Sequence, residues 1–127
     1  MVAAAADRLG AASAPLVCTE GQPRTAARVL PARLAAAGVR LAYHGDFDWV
    51  GIQIANAVMR RHGAIPWRFS SAAYRRARGG HPLRGEPTAA SWDSRRKPAM
   101  VALGLAVHEE EVLDLLLKDL AGAARWK

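Results

Sequence analysis

At 127 residues and 51% hydrophobic content, the chain has room for one globular domain with a modest core. Its lone Cys18 excludes an internal disulfide framework and a cysteine-based zinc site. No stretch approaches the ~20 apolar residues that span a bilayer, and the alanine-rich start lacks a basic n-region, so a cytoplasmic protein without membrane attachment is expected.

The formal charge of +7 is uneven. Between Arg60 and Lys97 stand ten Lys or Arg residues against Glu86 and Asp93, whereas the C-terminal segment carries Glu109, Glu110, Glu111, Asp114 and Asp119. A basic middle of this kind suits a polyanion such as DNA, and equally an arginine-rich solvated surface.

Residues 2–9 read as a helix stopped by Gly10. Leu16 to Thr19 reads as a short buried strand, with Cys18 as a structural thiol inside it, and Glu20 follows at its end. Pro23 suits the first turn of a helix running to about Ala37, with Leu30 and Leu34 on its apolar stripe and Pro31 as an awkward interior residue that predicts a kink or a local loss of stability. Val39 to His44 is the next strand, Gly51 to Arg61 the next helix with Gly63 closing it, and Ile65 to Phe69 a further strand. Strand–helix alternation at this spacing predicts an α/β fold with a parallel sheet and helices on its faces.

From Ser70 the pattern changes. A short helix over Ser71–Arg78 is broken by Gly79-Gly80-His81-Pro82, and the stretch to Pro87 reads as loop. Ser91 or Asp93 is placed to cap a helix through Leu103 that ends at Gly104. The last helix begins near His108, where Glu109, Glu110 and Glu111 complement the helix dipole; Val112, Leu113, Leu116, Leu117 and Leu120 form its apolar face. The single domain therefore divides into an α/β core over residues 1–69 and a basic loop region with C-terminal helices over residues 70–127.

The most informative segment is Gly45-Asp46-Phe47-Asp48. At a strand end, Asp46 and Asp48 are two residues apart and project toward one side. The carboxyl ends of strands are where open α/β sheets bind ligands, and paired carboxylates there suit Mg²⁺, with Mn²⁺ as a substitute. The competing reading is a pair of turn-forming aspartates that cap the following helix. Glu20 is a candidate third ligand and His44 a candidate acid–base or phosphate-contacting group, though a histidine at a strand end is more often packed. Arg60, Arg61 and Arg68 are the nearest candidates for phosphate contacts. His62, His81 and His108 have no metal-ligand spacing among themselves, and Trp67, Tyr74 and Trp92 read as core or loop anchors.

Four blocks carry a resemblance: Pro15 to Pro23, Tyr43 to Asn56, Gly63 to Phe69 and Glu110 to Leu120. Together they resemble the domain of unknown function 2399 family, over nearly the whole chain. Such domains are similar to the Toprim fold of topoisomerases, primases and small nucleases, and to the catalytic region of the nuclease subunit in Wadjet plasmid defence. The resemblance implies a Mg²⁺-dependent site built from a glutamate at the end of the first strand and an Asp-x-Asp on the third. The aspartates correspond to Asp46 and Asp48. The glutamate lies in a Glu-Asn-Pro element ahead of a helix resembling residues 2–9, so it is expected upstream of Met1. Glu20, 26 residues before Asp46, reads as the end of the second strand.

The expected function is thus that of an N-terminally truncated piece of a metal-dependent DNA-processing enzyme, nuclease-like and acting in plasmid or phage defence, with the chain inactive by itself. A non-catalytic nucleic-acid-binding or interaction module is the second reading. A haloacid-dehalogenase-like phosphatase is the third, since Asp46-Phe-Asp-Trp-Val loosely fits that motif, yet a βα unit precedes it and the only later lysines are Lys97, Lys118 and Lys127.

Overall fold

The computed structural model describes residues 1–16 and 25–122. Apart from Leu16, the strand expected over Leu16–Thr19 lies outside the described residues, as do Cys18 and Glu20. Helix α1 (Val2–Leu9) ends at Gly10 and passes into a 3-10 turn over Gly10–Ala12. Helix α2 (Thr25–Ala36) contains Pro31 and is one continuous element. Leu30, expected on its apolar stripe, is exposed.

The centre is a βαβ unit. Strand β1 (Ala42–Tyr43) pairs in parallel with β2 (Ile65–Pro66), Ala42 opposite Ile65 and Tyr43 opposite Pro66. Helix α3 (Trp49–His62) makes the crossover, as a parallel pair requires. The N–H groups of Ile65 and Trp67 donate to Leu41 and Tyr43 at 2.9 and 2.8 Å. Pro66 falls between these two donors, so its missing N–H costs the ladder nothing. Gly63 closes α3 in the left-handed region at φ 63°, a conformation glycine adopts without a Cβ penalty.

The second half departs from the sequence-based expectation. Helix α4 (Ser71–Arg76) is capped by Ser70, and α5 (Arg96–Leu103) ends at Gly104. The stretch read as loop contains β3 (His81–Pro82), which pairs antiparallel with β4 (Leu105–Ala106). Two-residue strands with a proline carry no period-2 signal, and their partner lies far along the chain. Beyond β4, Val107 exchanges backbone hydrogen bonds with Phe47, Phe47 N donating at 2.7 Å and Val107 N at 3.2 Å. A 3-10 turn over Glu109–Val112 then leads into α6 (Leu113–Ala121).

Two hydrophobic clusters hold these elements. One is mostly aliphatic: Leu116, Leu117 and Leu120 of α6 pack with Ala5, Ala14 and Trp67. The other gathers Phe47, Trp49, Ile52, Phe69, Tyr74, Met100 and Val107. Within it Arg96 is fully buried, its guanidinium 4.2 Å from the Phe47 ring centre and 4.1 Å from that of Phe69. Nη1 of Arg96 donates to the Phe69 carbonyl. Burial pushes the guanidinium down to about 9, so it stays charged at neutral pH and draws on the ring faces for stabilisation. Trp92 stacks on Phe69, while Trp67 and Tyr74 are buried, as expected of core anchors.

Candidate metal centre

The corner between β1 and α3 is built by alternation. Phe47 turns into the core, so Asp46 and Asp48 on either side face outward, both half-buried. Asp48 is the N-cap of α3, its Oδ1 accepting from Gly51 N at 2.6 Å. Asp46 Oδ1 accepts from the backbone N–H of Glu109 at 2.8 Å. Among the described residues, the second oxygen of each carboxylate takes no hydrogen bond. Gly51 makes this packing feasible: a Cβ there would stand 2.1 Å from the Asp46 carbonyl oxygen and 3.0 Å from Asp48 Oδ1.

Glu109 is the acid that sequence reasoning missed as a neighbour of this corner. Burial lifts its carboxyl above the usual range. The amino group of Met1, 3.6 Å away, opposes that shift, whereas the charges of Asp46 and Glu110 add to it. The signal was present in the run Glu109-Glu110-Glu111, which also serves the helix N-terminus.

The other candidates are distributed. Glu20 lies outside the described residues. His44 is inside the core, edge-on to Phe47, Phe69 and Trp67. Its Nδ1 is 2.9 Å from the Trp67 carbonyl oxygen, which can only accept, so Nδ1 carries the proton. Burial is the main reason its pKa falls to about 4, and the imidazole is neutral at physiological pH. Arg60 and Arg61 are exposed in the last turn of α3, about 18 Å along the helix from Asp48 at its start.

Arg68 is held by α6. Its Nε and Nη2 donate to Asp119 at 2.5 and 2.8 Å, and Trp67 Nε1 donates to the same carboxylate at 2.8 Å. Arg68 is the one non-glycine residue with positive φ among the described residues, at 47°. The two-point carboxylate contact holds that unfavourable backbone in place. A cavity of about 400 Å³ opens beside this pair, lined by Arg40, Trp67, Arg68 and Asp119 among others, and neither Asp46 nor Asp48 borders it.

Two amides on α3, exposed Gln53 and half-buried Asn56, fasten the loop ahead of α5. Asn56 Nδ2 donates to the Ala89 carbonyl and its Oδ1 accepts from Ser91 N, both at 2.9 Å, while Gln53 reaches Thr88 at 3.2 Å. Asp93 then binds Ser71 N at 2.7 Å and Arg95 N at 3.0 Å. Burial works against the Asp93 carboxylate, but these donors and the charge of Arg96 bring its pKa down overall.

Among the described residues, three side chains with ligating atoms within 4.8 Å of one another are His81, His108 and Glu111. That corrects the sequence-based view of the histidines, because β-pairing joins what spacing separates. No group of three such side chains among the described residues includes Asp46 or Asp48.

No curated protein and no solved structure matches the chain. A family model matches residues 1–120, and with it the chain belongs to the family described as protein of unknown function C-terminus (DUF2399).

Proposed function

We propose that this chain carries part of a Toprim-like, Mg²⁺-dependent phosphodiester-processing centre that acts on DNA, with Asp46 and Asp48 as the cation ligands. The observation that carries the reading is the corner itself: two half-buried carboxylates at a strand end, each fixed through one oxygen and with the other free of protein hydrogen bonds among the described residues. Mg²⁺ is commonly held by one or two protein carboxylates together with phosphate and water, so a pair suffices as the protein's share. Mn²⁺ would take the same place. The bound cation would supply Lewis-acid polarisation of a phosphoryl oxygen.

The protein's own contribution is positioning. Glu109 N and Gly51 N orient the two carboxylates, and the start of α3 presents a dipole end that favours phosphate. Exposed Arg60, Arg61, Arg75 and Arg76 would hold the DNA backbone away from the cation. Arg68 and Arg96 are engaged elsewhere, so the polyanion face is smaller than the sequence suggests. The family's similarity to Toprim enzymes and to the Wadjet nuclease subunit supports the DNA substrate and a role in plasmid or phage defence.

A non-catalytic DNA-binding module is the second reading. It is favoured by the cap at Asp48 and the tie at Asp46, which give both aspartates a structural duty without metal. The readings separate on plasmid DNA with Mg²⁺ or Mn²⁺. Cleavage, or Mn²⁺ binding that Mg²⁺ displaces, lost in Asp46→Asn supports the enzyme, while salt-sensitive DNA binding with neither supports the module.

A further inference from the structure

We infer that His81, His108 and Glu111 form a second metal site, one for a borderline transition ion such as Zn²⁺, separate from the aspartate corner. His81 opens β3 and stands opposite Ala106 of β4; His108 lies two residues beyond Ala106. That diagonal brings the two imidazoles face to face, with ring centres 4.6 Å apart and planes inclined by 12°. His81 Nε2 is 3.7 Å from Glu111 Oε1, and one ligating atom from each of the three residues lies within 4.8 Å of the others.

Two imidazoles and a carboxylate are a zinc donor set that leaves a fourth position for water. The aspartate corner has only hard oxygen donors, so the two places differ in the ions they prefer. Zinc–ligand bonds of about 2.0–2.1 Å require the donors to draw together by roughly 1 Å. His81 is exposed on a strand and can rotate to do so.

His108 and Glu111 have a present duty that sets the cost. The Glu111 carboxylate accepts the backbone N–H of His108 at 3.4 Å, and the Glu111 N–H donates to the His108 carbonyl at 3.0 Å. The metal, His81 and the His108 N–H therefore all draw on the same Glu111 carboxylate oxygen. The bound ion would tie β3 to the turn whose Glu109 N–H holds Asp46.

The test is a Zn²⁺ titration of the intact protein in excess Mg²⁺, with the visible spectrum of bound Co²⁺ as a second readout. One equivalent of Zn²⁺ should bind, and His81→Ala should weaken binding tenfold or more. His108→Asn, which places a good N-cap residue at that position, should do the same without loss of fold, and Asp46→Asn should leave Zn²⁺ affinity unchanged. The inference is overturned if wild type binds no Zn²⁺, if His81→Ala binds as wild type does, or if the affinity follows Asp46 instead. Because Asp46→Asn is silent here and decisive for the aspartate corner, failure of one site does not imply failure of the other.

Discussion

The aspartate corner and the histidine pair sit on either side of one short segment, and they were assembled in opposite ways. Asp46 and Asp48 come from four consecutive residues, and α3 begins on them. His81, His108 and Glu111 come together only because β3 pairs with β4. Residues 107–109 link the two: Val107 bridges Phe47, His108 stacks on His81, and the Glu109 N–H fixes Asp46. A site of local origin is thus held in shape by a contact of long range, and the chemistry of each follows its donors.

The comparison can be broken first at Gly51. Gly51→Ala drives a methyl group into the Asp46 carbonyl and should cost about 3 kcal/mol or more in urea unfolding. Gly63→Ala has open space around it and only the positive φ to overcome, about 1 kcal/mol. Equal losses for the two would show that the corner is not tightly packed.

Beneath the same corner, His44 makes stability depend on pH. Its folded pKa, about 4, lies below the unfolded value near 6.5, so its contribution is complete above pH 6.5 and is lost as pH falls toward 4. Over that interval the metal-free protein should lose about 3 kcal/mol relative to His44→Phe or another neutral core variant that folds. A pH profile shared by wild type and variant would contradict this.

Asp119→Ala probes a place outside both regions. It leaves the Trp67 indole N–H and the Arg68 guanidinium without their carboxylate, and about 2 kcal/mol should be lost. Affinities for Mn²⁺ and Zn²⁺ should not change in the folded variant. The smallest effect separates the two duties of Asp48. Asp48→Ala removes the α3 cap for about 1 kcal/mol, whereas Asp48→Asn retains the cap within a few tenths but should still weaken Mn²⁺ binding.

What could be read in advance follows the range of the interactions. The N-cap at Asp48, the stop at Gly63 and the apolar face of α6 are local patterns, and each was legible. So was the reading of Trp67, Tyr74 and Trp92 as anchors, since large aromatics among arginines have few other places to go. Arg96 was not legible. It stands in Arg95-Arg96-Lys97, a run that looks like surface, and only the ring faces of Phe47 and Phe69 make its burial tolerable. Arg68 reads as a phosphate contact because nothing in its neighbourhood announces Asp119, 51 residues away. The β3–β4 pair and the histidines it joins were hidden for the same reason.

The most direct test of the central claim is Mn²⁺ binding followed by electron paramagnetic resonance, with Mg²⁺ as competitor, in wild type, Asp46→Asn and His108→Asn. The aspartate corner predicts Mn²⁺ binding that Mg²⁺ displaces, that falls at least tenfold in Asp46→Asn, and that persists in His108→Asn. Mg²⁺-displaceable binding of equal strength in wild type and Asp46→Asn would contradict it.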